Sequence, residues 1–376
     1  MLIFVFANFG SLCQNVKSNS MKSVFYSLII TLSLYSCKPE NGPIPSGDYS
    51  RGVFVVNEGI YGQTSGTITF YNEDSSKTVQ DIFRISNNRD LGNVVQSMCF
   101  HYNRAYIVVN NSNKIEVVDS ENFKELAQIN GLEQPRYFLP VSADLALVSQ
   151  WGLDLMSGSI ALVDLNTNTV IQKISQGIGK GPEQMLKFND KVYIANVGGL
   201  DFDNFISVFD LQTLTVTDTI VVDDAPNSMK VGADYLLWVA CKGKPVYSAF
   251  PDIDSVNSTY GSLVGIDLNN NNIQKRILLQ KGRGATNLIK SSANVNEILF
   301  LYNNAVYSLN TGTELIVPII SGNYYGLGAK PGAVYFYASK NSGIQASKVY
   351  AIRYSDAVKL DSFTAGIFAN SIIFKP

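Results

Sequence analysis

Ala105-Tyr-Ile-Val-Val-Asn-Asn-Ser-Asn-Lys-Ile-Glu-Val-Val-Asp119 reads as two short strands joined by a tight Asn/Ser loop. The first run, Ala105 to Val109, is β-branched and aromatic, and the second, Lys114 to Asp119, sets Ile115, Val117 and Val118 in the mixed pattern of a strand covered on both faces. The phrase then recurs. Leu145-Ala-Leu-Val-Ser149 precedes Ser159-Ile-Ala-Leu-Val-Asp164, Val192-Tyr-Ile-Ala-Asn196 precedes Phe205-Ile-Ser-Val-Phe-Asp210, and Tyr235 to Ala240 precedes Ser262-Leu-Val-Gly-Ile-Asp267. Self-similarity at one period marks a repeat architecture.

A third element precedes each strand pair: Val95-Gln-Ser-Met98, Pro135-Arg-Tyr-Phe138, Pro182-Glu-Gln-Met185, Pro226-Asn-Ser-Met229 and Ala285-Thr-Asn-Leu288. A fourth follows, over Lys124 to Ile129, Thr169 to Ile174, Thr215 to Val221 and Ile273 to Leu279. Four strands in roughly 40 to 60 residues make one propeller blade. Seven units fit the chain, with second strands beginning near Gly52, Ala105, Leu145, Val192, Tyr235, Ile298 and Val334. The first unit lacks its innermost strand, and Ile367-Phe-Ala-Asn-Ser-Ile-Ile-Phe374 supplies that pattern with no strand pair after it. The sequence thus predicts an all-β, seven-bladed propeller over residues 51–376, its ring closed by the C-terminal strand joining the first blade. An α/β enzyme would need long helical periods, which the chain lacks.

With 46% hydrophobic and only 16% charged residues among 376, the chain has ample material for a large core. Its formal net charge of -2 provides no general attraction for nucleic acid or an anionic membrane surface. The amino terminus is expected to lie outside the fold. Residues 1–20 look like an upstream extension from a misassigned start, and residues 21–37 look like a lipoprotein signal: Met21-Lys22, an apolar run from Val24 to Leu34, then Leu34-Tyr-Ser-Cys37. Cys37 would carry the lipid, and the Pro/Gly-rich residues 38–50 would form a tether. Cys99 and Cys241 fall in different blades and are expected as buried free thiols.

The chemistry is sparse. A single histidine, His101, in a turn just after an innermost strand, and no Cys-x-x-Cys pair leave zinc, haem and histidine-dependent nucleophilic catalysis without their usual groups. Gly177-Ile-Gly-Lys-Gly181 and Gly282-Arg-Gly284 lie between strands with no helix after them, as turn glycines do. Asp201-Phe-Asp203 and Asp223-Asp224 lack the spacing of a calcium loop. No metal, catalytic residue or required cofactor is expected.

Aromatic loops stand out instead. The loops between second and third strands open on one face and carry Tyr61, Trp151, Phe202, Tyr247, Phe250 and Tyr260, while a link between blades adds Tyr324 and Tyr325. The loop from Cys241 to Tyr260 is the longest and should cover part of that face. The polar position of each innermost strand predicts a ring at the channel mouth: Gln96, Arg136, Glu183, Asn227, Thr286, Tyr325 and Asn370. Aromatic walls around hydrogen-bonding groups suit a large, partly apolar ligand. The bland alternative is that some of these aromatics pack between blades.

Val192-Tyr-Ile-Ala-Asn196 and Ala105-Tyr-Ile-Val-Val-Asn110 are similar to YVTN-type β-propellers. Val53-Phe-Val-Val-Asn-Glu-Gly59, Leu91-Gly-Asn-Val-Val-Gln-Ser-Met98, Gly181-Pro-Glu-Gln-Met185 and Pro226-Asn-Ser-Met229 resemble the DUF5074/YncE-like surface lipoproteins of Bacteroidota. That resemblance implies an outer-membrane, cell-surface lipoprotein that captures cobalamin or another corrinoid and hands it to a TonB-dependent transporter. Lys38-Pro-Glu40 departs from the acidic run that surface-exported members carry after the cysteine. Two other classes stay open: a protein- or glycan-binding scaffold with no small-molecule ligand, and a propeller enzyme, which would need a carboxylate cluster where the ring offers Glu183 alone.

Overall fold

The computed structural model describes residues 48–375. These form seven four-stranded antiparallel sheets, and an eighth, two-stranded one lies in a loop. Blades 2 to 7 take their strands in chain order from the channel outwards, beginning with innermost strands Val95–His101, Pro135–Pro140, Pro182–Phe188, Pro226–Val231, Thr286–Lys290 and Tyr324–Ala329. Blade 1 is split: Val53–Asn57, Thr67–Asn72 and Lys77–Val79 are completed by Ala369–Phe374, with Val53 opposite Phe374 and Val55 opposite Ile372. Pairing the two ends of the propeller leaves no circular edge unpaired.

The second strands start at Val53, Arg104, Leu145, Lys191, Leu236, Glu297 and Tyr335, each within one residue of expectation. They are buried nearly throughout because neighbouring blades cover both faces, which is why they lack simple alternation. One side of each goes to each neighbour: Tyr193, Ile206 and Val208 of blade 4 pack on Leu237, Val239 and Val264 of blade 5. Ile160, Leu162, Val192 and Ile194 fill the gap between blades 3 and 4. At the closure Tyr71 stacks on Phe363 with centroids 4.2 Å apart, and Glu73 accepts hydrogen bonds from Tyr335, Tyr337 and Lys330.

The amides that end the second strands act as latches. Asn196 donates to Phe205 O and Ser207 Oγ (both 3.0 Å) and accepts from Gly179 N–H, tying its loop to the link that enters its own blade. Asn57 does the same with Thr67, Thr69 and Gly366. A short helix, Ile82–Asn87, carries the chain from blade 1 to blade 2 and buries Ile82 and Phe83.

Several details differ from expectation. Tyr49, assigned to the tether, is buried against the rings of Phe70 and Phe123, because an aromatic side chain gains more in that groove than in water. His101 ends its strand, opposite Arg104, rather than lying in the turn after it. Tyr324 packs into the core between blades 6 and 7 and borders the channel cavity rather than standing in an open loop. Cys99 and Cys241 are both free, and burial pushes each thiol up to about 12. The upstream extension, the signal segment with Cys37 and nearly all of the tether lie outside the described residues. Among the described residues no helix is long and apolar enough to cross a membrane.

Candidate functional site

The backbone makes the ring. In blades 2, 3, 4, 5 and 7 the innermost strand shifts register where Gln96, Arg136, Glu183, Asn227 and Tyr325 sit, and in blade 1 Asn370 falls in the same break. A bulge leaves a residue unpaired and re-aims its side chain, here into the channel. In blade 6 Thr286 still pairs with Leu301, and the shift falls on Asn287 and Leu288. Five links enter their strands through left-handed residues: Val94 (φ 58°), Gln134 (50°), Gly181 (55°), Ala225 (58°) and Phe368 (52°). Four of these carry a Cβ in a disfavoured region, so the rim stores backbone strain. Gly181 allows closer approach, since a Cβ there would lie 2.0 Å from Gly199 N.

All seven predicted ring residues line one cavity of about 450 Å³ in the channel. Its wall has two differently built arcs. On one, Arg136 donates to Glu183 at 2.7 and 2.9 Å and to Gln96 Oε1 at 2.6 Å, and its guanidinium lies 4.2 Å from the centroid of the Trp151 ring. The side chains of Arg136 and Glu183 are only 16% and 8% exposed, so this ion pair is shielded from the solvent that weakens surface pairs. On the other arc, Glu58 accepts from Tyr325 Oη (3.0 Å) and Asn370 Nδ2 (2.9 Å), and Asn370 also donates to Gln96 O. Burial raises the Glu58 carboxyl above its usual range, although the hydrogen bonds from Asn370 and Tyr325 oppose it.

A recess above Arg136 and Glu183 adds Trp151, Phe202, Lys242 and Pro245 on the loop face. Lys244 lies 5.4 Å from the Phe202 ring. The ring, Trp151 and Phe202 therefore share one concavity. Tyr61, Tyr247 and Phe250 do not join it. Tyr61, in the blade 1 loop, is 67% exposed; Phe250 is 84% exposed because the blade 5 insertion folds as its own hairpin, Tyr247–Ala249 against Asp252–Ile253, instead of lying over the channel. Tyr260 opens the third strand of blade 5, beneath Lys281. The paired acids of the loops are engaged locally: Asp201 with Lys180, and Asp223 with Arg276 and Ser262.

Three charged groups in the cavity were missed, Glu58, Lys230 and Lys242, together with the phenol of Tyr137. A repeat signal for two of them was available. The residues directly after Asn57, Gln150, Asn196, Cys241 and Tyr302 are Glu58, Trp151, Val197, Lys242 and Asn303, and every one lines the cavity or its recess. Of that second register the loop-aromatic pattern points to Trp151 alone. Glu58 also revises the count of acids at the mouth from one to two.

Residues 51–315 match the domain of unknown function DUF5074. The chain belongs to the DUF5074 family. No curated protein matches this DUF5074 chain in sequence. Among solved structures it is similar to a quinonprotein alcohol dehydrogenase-like protein from Bacteroides thetaiotaomicron (TM-score 0.63, 15% identity, covering 87% of this chain and 79% of that one). It is also similar to the periplasmic gluconolactonase of Pseudomonas aeruginosa (0.61, 12%, 86% and 99%) and to a protein of unknown function from Desulfotomaculum acetoxidans (0.61, 11%, 86% and 99%). At these identities the likeness is one of fold.

Proposed function

We propose that this DUF5074 chain is a non-catalytic binding lipoprotein of the cell envelope, anchored through Cys37 at the outer membrane and facing the cell surface. It captures a large, partly apolar ligand, best matched by cobalamin or a related corrinoid, for a TonB-dependent transporter. The observation that carries this is the shared concavity of an amide- and charge-lined ring with the Trp151 and Phe202 walls. A cavity of about 450 Å³ accepts a polar substituent, while a macrocycle would lie across the mouth against Trp151. The resemblance to YncE-like cobalamin-capturing lipoproteins supports the choice of ligand. Both cavity carboxylates are already held by donors, Glu183 by Arg136 and Glu58 by Tyr325 and Asn370, which supports binding over acid/base catalysis.

The test is titration of the full-length protein with cyanocobalamin, followed by tryptophan fluorescence and calorimetry. Of the two tryptophans, Trp238 is fully buried in a blade and donates to Asp234, so quenching reports Trp151. Trp151→Ala combined with Arg136→Ala should weaken binding by at least about tenfold. Unchanged affinity would remove the site, and no binding by a folded protein would remove the corrinoid. A scaffold that binds protein or glycan is the second reading, favoured by Leu153 and Leu200 together with Tyr61 and Phe250, all exposed on the same set of loops.

A further inference from the structure

Three residues beyond the ring position, six innermost strands carry Cys99, Leu139, Leu186, Ile289, Gly328 and Ile373. Blade 5 alone has a lysine there, Lys230, and it lines the channel cavity below Asn227. Lys242, just past the second strand of the same blade, lines the cavity and its recess at the mouth. Among the described residues neither ammonium has a hydrogen-bonding or ion-paired partner. Each has three donors to satisfy; Lys242 is exposed at the mouth, whereas Lys230 is half-buried in the channel, where a cation without an acceptor is costly.

The cavity offers no acid to spare. Glu183 is taken by Arg136, and Glu58 by Tyr325 and Asn370. Counting Arg136, Lys230 and Lys242 against Glu58 and Glu183 leaves an excess of one positive charge even with both acids ionised. Burial, and then the charge of Lys290, push the Lys230 ammonium below the usual lysine range. Enclosure by the cavity wall acts in the same direction on Lys242 and the charge of Glu183 opposes it, while the side chain stays exposed at the mouth.

We infer that the channel cavity is an anion site, in which Lys230 and Lys242 receive the carboxylate or phosphate group of a small organic ligand. The inference deepens the proposed function, resting on the channel mouth being the ligand site, and adds the charge that the ligand must carry. An anion in the cavity supplies acceptors that the lining carboxylates do not, without displacing the Arg136–Glu183 pair.

The test is calorimetry of the full-length protein with glycerol 3-phosphate, inorganic phosphate and glycerol. The phosphate-bearing probes should bind and glycerol should not. A tighter ester points to an organic anion, and equal binding of inorganic phosphate points to the free oxyanion; both outcomes sustain the site. Lys230→Met and Lys242→Met should each weaken binding by about tenfold, with Lys→Arg restoring most of it. Lys230→Met should also melt no lower than the parent without probe, since it removes an unpartnered charge from inside the channel. The inference is overturned if no phosphate probe binds, or if the double Met variant, folded by its melting curve, binds them unchanged. Cyanocobalamin titrated in parallel separates the two conclusions: capture that ignores phosphate and both Lys→Met changes keeps the proposed function and discards the anion site. Phosphate binding without cyanocobalamin binding does the reverse.

Discussion

Glu58 at the channel mouth and Glu116 in the body of blade 2 are both carboxylates shielded by strands, and their surroundings drive them in opposite directions. Glu116 is completely buried, and burial alone would raise its pKa. Arg89 meets it with two hydrogen bonds of 2.8 and 3.0 Å, Lys114 adds one of 2.6 Å and Gln128 one of 3.0 Å, so the carboxyl ends below its ordinary value. Glu58 has only a phenol and an amide as direct donors, and there burial wins. The blade wall spends its charges on holding strands together, whereas the channel holds Glu58 by neutral donors alone and leaves two lysines without an ion pair. Such incomplete compensation is where perturbed groups and binding sites coincide.

The contrast is broken most severely at Arg89. Arg89→Met would leave the buried Glu116 with Lys114 as its remaining cation and should cost about 3 kcal/mol in urea unfolding at pH 7, without altering ligand titrations. Next in size is the Trp151→Ala, Arg136→Ala pair, whose effect of at least about tenfold should appear in ligand affinity.

A pH series sharpens the comparison. Because the folded-state pKa of Glu116 is depressed, its stabilisation is complete above about 4.5 and is lost as the pH falls through the lowered value. Glu58 has the opposite sign: its raised pKa means stability is greatest below 4.5 and declines as the pH rises through the folded value. Glu58→Gln should therefore be modestly stabilising at pH 7 and indistinguishable from the parent at pH 4 in denaturant midpoints. The smallest signal is expected from the thiols. With both pushed up to about 12, neither Cys99 nor Cys241 should react with a thiol-exchange reagent at pH 8 until the protein is unfolded.

The ring at the mouth was legible because a repeat converts position in sequence into position in space. Once Val95-Gln96 and Pro135-Arg136 are aligned, all seven ring residues fall on one circle. The loop aromatics were less legible, since loop length does not specify loop direction: Trp151 and Phe202 turn to the channel, while Tyr247 and Phe250 leave on a hairpin. Glu58 and Lys242 were hidden by lying one residue outside strands that had been read for their apolar pattern.

The number of blades, their strand order and the closure by Ala369–Phe374 were determined by the sequence itself, because period and hydrophobic pattern are local properties that repetition amplifies. Which charges are satisfied and which are left open was decided only by the tertiary structure. Arg136 finds Glu183 from 47 positions away and Tyr325 finds Glu58 from 267, and no local pattern encodes such pairings. They arise when seven separate strands are bent around one axis, and the same convergence leaves Lys230 and Lys242 facing a cavity with no acid free to meet them.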